Sequence, residues 1–382
     1  MPTTNVWRSR SGNLSPNALI QARTAPTATT SWLTAVRTHL FADWGTGIAS
    51  GVLLLLLAFA GAHLLDWGVI RAQWLPDVAA CRADGVGACW GVVAEKYRVI
   101  LLGRYPLEEQ WRPVVASSLL LALLLVSCLR SFWRPWLAVL WVLGLPIYFG
   151  LMKGHLWGLS LGLTAVDTDR WGGLPLTLLL SSVSIALALP LAILVALGRR
   201  SELPAIRALC TVYVELVRGV PLISVLFMAS FMLPLFLPQG LTIDVLLRVL
   251  VGITLFAAAY MAEVVRGGLQ AVPRGQVEAA ATLGLSWWQT QRHVVLPQAL
   301  TAVLPGLVNN FIAIFKDTSL VTIVSLYELT GALSLALNSD ADWRPFKLEG
   351  YVFIALIYFV FCFSISRYSL WVERQLAHGT PS

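Results

Sequence analysis

An all-α membrane protein of about eight transmembrane helices is the fold class this sequence predicts, and three observations carry that reading. Of 382 residues, 57% are hydrophobic and only 12% are charged, with a mean hydropathy of +0.74, against about 25% charged in an ordinary soluble domain. The apolar residues come in blocks of bilayer-crossing length, about 20 residues each. Segments 46–65, 172–198, 220–243 and 350–366 contain no Asp, Glu, Lys or Arg at all. Lys and Arg are also shared unequally among the connecting segments, as a membrane orientation requires. The net charge of +7 is therefore read as loop asymmetry, not as a nucleic-acid footprint.

The elements follow in chain order. Residues 1–45 are a polar, Thr- and Arg-rich tail with no evident cleavable signal peptide. Residues 46–173 hold three helices, near 46–65, 114–130 and 136–152, with a large loop at 66–113. Residues 174–372 hold five more, near 174–197, 208–236, 245–265, 299–325 and 350–371. The fifth and seventh helices contain Pro221 and Pro305, which predicts kinks or tilt there. Residues 373–382 form a C-terminal tail.

Orientation comes from counting. With the N-terminal tail in the cytoplasm, the inner segments carry 14 Lys and Arg against four acids, and the outer ones ten against eleven. The reverse topology violates the positive-inside rule, so both termini are expected to be cytoplasmic. The 66–113 loop then lies outside and carries Trp67, Trp74, Trp90 and Trp111, residues suited to a membrane–water interface. Cys81 and Cys89 share this loop. They are a disulfide candidate in an oxidising exterior, or two unrelated thiols.

The segment between the sixth and seventh helices has a readable local grammar. Pro273 suits the start of a helix. Val277, Ala280, Ala281 and Gly284 then recur at helical spacing as a small-residue face. Gly284 can stop the helix by taking a positive φ. Ser286 with Gln289 fits a capping box for the next helix, and Pro297 marks the return to the membrane. Residue chemistry alone gives a short helix of about 273–285 lying across the inner face.

The spacing goes further. Glu278-Ala279-Ala280, Gly284, Val294 and Leu296-Pro297 resemble the EAA loop of ABC-importer permeases, with Val294 where Ile is usual. Glu215-Leu216-Val217-Arg218-Gly219-Val220-Pro221, Glu263-Val264-Val265-Arg266-Gly267-Gly268 and Lys316-Asp317-Thr318-Ser319-Leu320 are similar to segments of polar amino-acid permeases. Val220 in place of Thr is a small departure. The resemblance covers about 175–375 and implies a five-helix type I importer core. The three added helices resemble the general L-amino-acid branch. It implies that Glu278, Ala279, Ala280 and Gly284 dock an ATPase subunit dimer. The other implied partners are a second permease subunit, preferably an unlike one, and a periplasmic substrate-binding protein. ATP and Mg would be held by the ATPase subunits, with no cofactor on this chain, in a bacterial inner membrane.

Charged residues inside predicted spans are costly unless paired or facing a polar cavity. Glu215 and Arg218 stand three apart, so a structural ion pair between them is expected. Asn309, Asn310, Lys316 and Asp317 follow the docking segment on the seventh helix. Two readings stay open for them: a substrate path that meets the carboxylate and ammonium of an amino acid, and a self-compensating Lys–Asp pair. The five His do not cluster and no GxxxxGK[ST] loop occurs. Neither a metal site, nor ATP binding by that route, nor catalysis on this chain is expected. An ion-coupled secondary transporter is the competing class. It lacks an inverted repeat in its favour and leaves the EAA-like loop unexplained.

Overall fold

The structure is a computed structural model that describes residues 43–156, 159–160 and 162–377, together with Thr34, Val36, Thr38, Leu40 and Phe41. Most of the predicted N-terminal tail, including His39, and residues 378–382, including His378, lie outside the described residues. The chain divides into two compact units, Met1–Trp67 and Gly68–Ser382.

In the first unit, α1 (Trp44–Leu65) starts where Asp43 and Thr46 form a capping box, side chain to backbone in both directions. With no charged residue along its length it belongs to the first candidate span, Trp44–Ile70.

The second unit begins with a region that hydropathy leaves as a loop but that contains helix. A single turn, α2 (Val78–Cys81), is capped by the Asp77 carboxylate on the amides of Ala79 and Ala80. Then comes α3 (Gly91–Leu102). Two membrane helices follow, α4 (Trp111–Cys128) and α5 (Pro135–Lys153). Arg112 on α4 is fully buried. It donates to the Leu151 carbonyl at 2.7 Å and the Thr164 carbonyl at 2.9 Å, so it ties α4, α5 and the 162–172 segment together. A small hairpin, β1 (His155–Leu156) with β2 (Leu159–Ser160), leads out of α5.

The centre of the bundle is α6 (Gly173–Gly198) against α9 (Val245–Ala271), the most deeply buried of the spans. Both are apolar on every side over most of their length, as helices surrounded by others must be. The buried hydroxyls of Thr177, Ser181 and Ser182 return hydrogen bonds to carbonyls one turn back, at 3.1, 2.7 and 2.6 Å, which satisfies them within the helix, and Thr177 also accepts from the Leu329 amide at 3.2 Å.

Between these two helices the single predicted span 208–236 is two pieces. Helix α7 (Pro204–Arg218) and the run from α8 (Leu222–Phe227) on to Phe236 meet at 104°. The break falls at Gly219–Pro221, where proline removes a donor and its predecessor is forced out of helical geometry. After α9 come α10 (Arg274–Thr282), α11 (Trp287–Thr290), α12 (Leu296–Ala302) and α13 (Leu304–Asp317). The bend expected at Pro305 is a break at Val303, and Pro305 lies in the first turn of α13. Strand residues Tyr327–Glu328 (β3) precede α14 (Leu329–Asn338), and α15 (Lys347–Ala377) ends the described chain.

Among the described residues, seven helices are long and apolar enough to cross a membrane, and the bent pair makes an eighth if it is one span. Since α6 is 26 residues long, its ends lie about 39 Å apart at 1.5 Å per residue. One end of the bundle carries 199–203 and 272–296. The other carries 68–106, 162–172 and 325–346.

Candidate functional site

Helix α10 is nearly free of the bundle. Ala280 is its single buried residue, while Val277, Glu278, Ala279, Ala281 and Leu283 are exposed, Leu283 to 79%. Glu278 makes no ion pair or hydrogen bond among the described residues. Pro273 stands at the N-cap, one position before the first helical turn. The helix ends in a Schellman motif: Leu285 N–H donates to the Ala280 carbonyl at 3.2 Å and Gly284 N–H to that of Ala281 at 3.0 Å. Gly284 has φ +72°, a left-handed conformation that costs a side-chain-bearing residue dearly. Ser286 and Gln289 then form a reciprocal capping box for α11. A short helix thus starts at Pro273 and is stopped firmly at its C-terminal end, with one small face inward and an acid, two alanines and a leucine outward.

This segment is joined to the bundle by close packing. A Cβ on Gly268 of α9 would lie 2.4 Å from the Ala299 carbonyl oxygen of α12, so only glycine permits that approach. Gln298 of α12 reaches Gln276 of α10 at 3.4 Å. A groove of about 370 Å³ opens beside α10, bordered by Val277, Ala281, Trp287 and the guanidinium-bearing Arg200 and Arg274.

The expected Glu215–Arg218 pair does not form. Arg199 at the end of α6 takes Glu215 at 3.0 Å and Glu263 of α9 at 2.6 Å, and Arg218 approaches Glu263 at 3.8 Å. Arg266 also grips Glu263. The physical reason is tertiary: an i,i+3 pair on an exposed helix gains only a few tenths of a kcal/mol, whereas Glu263 offers one carboxylate to three guanidinium groups from three helices. Arg199, Glu263 and Arg266 are the members that single-helix reasoning missed. Their signal was present as charges at span ends, but their meeting depends on how α6, α7 and α9 pack.

The polar residues of α13 separate by face. Leu307, Ile314 and Phe315 are buried, while Pro305, Asn309, Ala313 and Lys316 form an exposed stripe at three- and four-residue spacing. Asn310 is half-buried and returns its amide to the Gly306 carbonyl at 2.8 Å. Lys316 and Asp317 make no ion pair with each other or with any other described side chain, because successive helical residues point about 100° apart. The reading of this pair as self-compensating therefore loses its geometry.

At the opposite end Cys81 and Cys89 are joined in a disulfide with Cα atoms 5.5 Å apart. Nearby, Glu328 is completely buried. It accepts hydrogen bonds from the amides of Thr330 (2.9 Å) and Gly331 (3.0 Å), the Tyr358 hydroxyl (2.8 Å) and the Thr322 hydroxyl (3.3 Å). Burial holds its carboxyl above the ordinary value, opposed by those four donors. These contacts make Glu328 the pin joining the turns after α13, the start of α14 and α15.

Residues 188–378 match the family described as "Binding-protein-dependent transport system inner membrane component". The chain is 46% identical over 355 residues to the inner membrane amino-acid ABC transporter permease protein YhdY of Escherichia coli, covering 91% of this chain and 94% of that one. It is 39% identical over 378 residues to the glutamate/glutamine/aspartate/asparagine transport system permease protein BztC of Rhodobacter capsulatus, covering 84% of this chain and 87% of that protein. The probable glutamine ABC transporter permease protein GlnP of Bacillus subtilis is 33% identical over 196 residues, which is 88% of that protein but 51% of this chain.

Proposed function

Since the chain belongs to the binding-protein-dependent transport system inner membrane components, we propose that it is the permease subunit of an ATP-driven amino-acid importer, docked to its ATPase through α10. The observation that carries the docking assignment is the exposure of Glu278, Ala279 and Leu283 on a short helix whose C-terminal end is fixed by a Schellman turn and a capped restart. Such a helix transmits force instead of bending under it. A partner that pushes on α10 pushes on α12 through Gln276 and Gln298, and α12 is packed on α9 at Gly268–Ala299 and leads directly into α13. ATP and Mg belong on the ATPase subunits, where hydrolysis takes place. The positive-inside count supports a cytoplasmic position for α10 and both termini.

The stripe of Asn309, Ala313 and Lys316 supports a path along α13. An unpaired ammonium in a span does not face lipid, since that exposure costs several kcal/mol. It faces a polar passage or a second permease subunit. In such a passage Lys316 can hold the carboxylate of an amino acid, with Asn309 two turns away as a neutral donor and acceptor. Asp317, half-buried at the end of the helix, is the candidate acceptor for the ammonium. The names of the long relatives favour amino acids as cargo. The N-terminal helices, outside the family match at 188–378, favour an unlike partner permease. A periplasmic binding protein would deliver cargo at the end bearing the disulfide.

The test is uptake of labelled L-amino acids into inverted and right-side-out vesicles with and without ATP. Uptake that requires ATP and the ATPase subunit supports the reading. Accumulation driven by an imposed proton or sodium gradient with this chain alone would overturn it.

A further inference from the structure

The region from Gly68 to Tyr105 is a folded cap seated on the core. Its helix α3 buries Val92 and Ile100 against Leu329, Leu333, Ala336 and Leu337 of α14, and the cluster extends to Cys81, Cys89 and Trp343. Three polar contacts close the seam. Lys96 meets Asp340 at 2.8 Å, Arg82 meets Asp342 at 2.9 Å, and the amide of Cys89 donates to the buried Glu349 carboxylate at 3.0 Å. The disulfide links Cys89 to Cys81, the residue before Arg82, so the segments carrying these two contacts are covalently joined. At the far end of α3 the backbone of Gly103 crosses that of Gly172 at the start of α6.

From α14 the contacts continue inward. Glu328 caps α14 and binds Thr322, in the last turns after α13, and Tyr358 of α15. The Tyr358 ring in turn lies edge-on to Phe315, with centroids 5.5 Å apart. Phe315 is the buried neighbour of Lys316. A run of direct contacts therefore joins the cap to the end of the polar stripe, through packed side chains and buried hydrogen bonds instead of solvent.

We propose that Lys96, Arg82 and the Cys89 amide are positioning residues for transport. They clasp α14 to the cap, and through Glu328 and Tyr358 they hold the outer end of α13 in place. The cap, α14 and the outer end of α15 then move as one body, and the change of access takes place elsewhere, around the bend at 219–221 and along α13. None of the three cap groups touches cargo. Their effect is on how faithfully hydrolysis is converted into uptake. This step rests on the import reading above.

The experiment compares K96E, D340K and the charge-swapped double variant K96E/D340K, together with K96C/D340C bridged by a bismaleimide. The readouts are uptake of a labelled L-amino-acid mixture by intact cells, ATPase activity in membranes from the same cells, and hydrogen exchange of segment 322–338 in purified permease. Each single reversal should lower the maximal uptake rate about five-fold while hydrolysis continues, and the double variant should recover most of it, as coupling between paired sites requires. Exchange of 322–338 should rise in the single variants and return in the double. The bridged cysteine pair should still transport, because the clasped parts do not separate. A bridged pair that is blocked, or single variants whose uptake matches the parent, would overturn the proposal. The exchange measurement stands apart from the import reading: no ATP-driven uptake by the parent sinks that reading, and unchanged exchange in K96E sinks this one.

Discussion

At the scale of single residues, two carboxylates of the second unit respond to pH with opposite signs. Burial raises the Glu328 carboxyl above its unfolded value of 4.5. The folded protein therefore binds the proton more tightly, and stability from this group is complete below pH 4.5 and lost as pH rises through the folded value. Replacing Glu328 by Gln should cost about 1–3 kcal/mol, because one acceptor is exchanged for an amide that faces donors. It should also flatten the decline in melting temperature on the alkaline side of pH 4.5, measured by thermal unfolding in detergent. The Lys96 ammonium draws Asp340 the other way, below 3.8. Its contribution is present above pH 3.8 and disappears as pH falls through the folded value. Gly284→Val should strain the end of α10 by roughly 1–2 kcal/mol, the penalty of a left-handed residue with a Cβ. Retention of the ATPase subunit on an affinity column should fall while the permease still folds. Full retention would show that the end of α10 is not part of the docking surface.

At the scale of elements, what was legible depended on whether a helix is decided locally. Charge-free runs announce α1, α6 and α15 because length and hydropathy suffice. The grammar of α10 and α11 was equally local: a glycine stop and a capping box need no tertiary information. Helix α14 was not legible, since ten apolar residues fall below any bilayer-length window. Helix α3 was hidden in a polar loop because its apolar residues make sense only against α14. The 104° bend was readable as a kink at Pro221 but not in its size, which the packing of α7 on α9 sets. The same division explains the charges: Glu215 and Arg218 looked like partners on one helix, and the network around Glu263 came from three. Two outcomes belong at this scale. Gly268→Leu should force α9 and α12 apart, destabilising by about 1–3 kcal/mol as over-packing does and weakening the response of ATPase activity to cargo. Lys316→Met should leave expression and ATPase binding unchanged while uptake falls about ten-fold, equivalent to about 1.4 kcal/mol of barrier. Uptake equal to the parent would remove Lys316 from the path.

At the scale of the whole molecule, the added N-terminal region and the importer core are not independent modules. Leu329, Leu333 and Leu337 are fully or almost fully buried only because the cap and α15 cover them. A chain beginning at Trp171 should therefore expose an apolar strip at the outer end and melt at lower temperature than the full chain, with greater aggregation on gel filtration. Co-expression of a separate 68–170 fragment should restore part of the loss.

The clasp also has a consequence in time. The Cys89 amide and Glu349 are 260 residues apart in the chain, and Lys96 and Asp340 are 244 apart. At a synthesis rate of roughly 5–20 residues per second, the cap leaves the ribosome about 10–50 s before the helices it must grip exist. During that interval the disulfide can close within its own short loop, so the cap waits as a pre-shaped half. The last two helices then complete a surface prepared for them, and quality control of the finished permease falls at the end of translation, when an incomplete chain still shows an uncovered apolar seam.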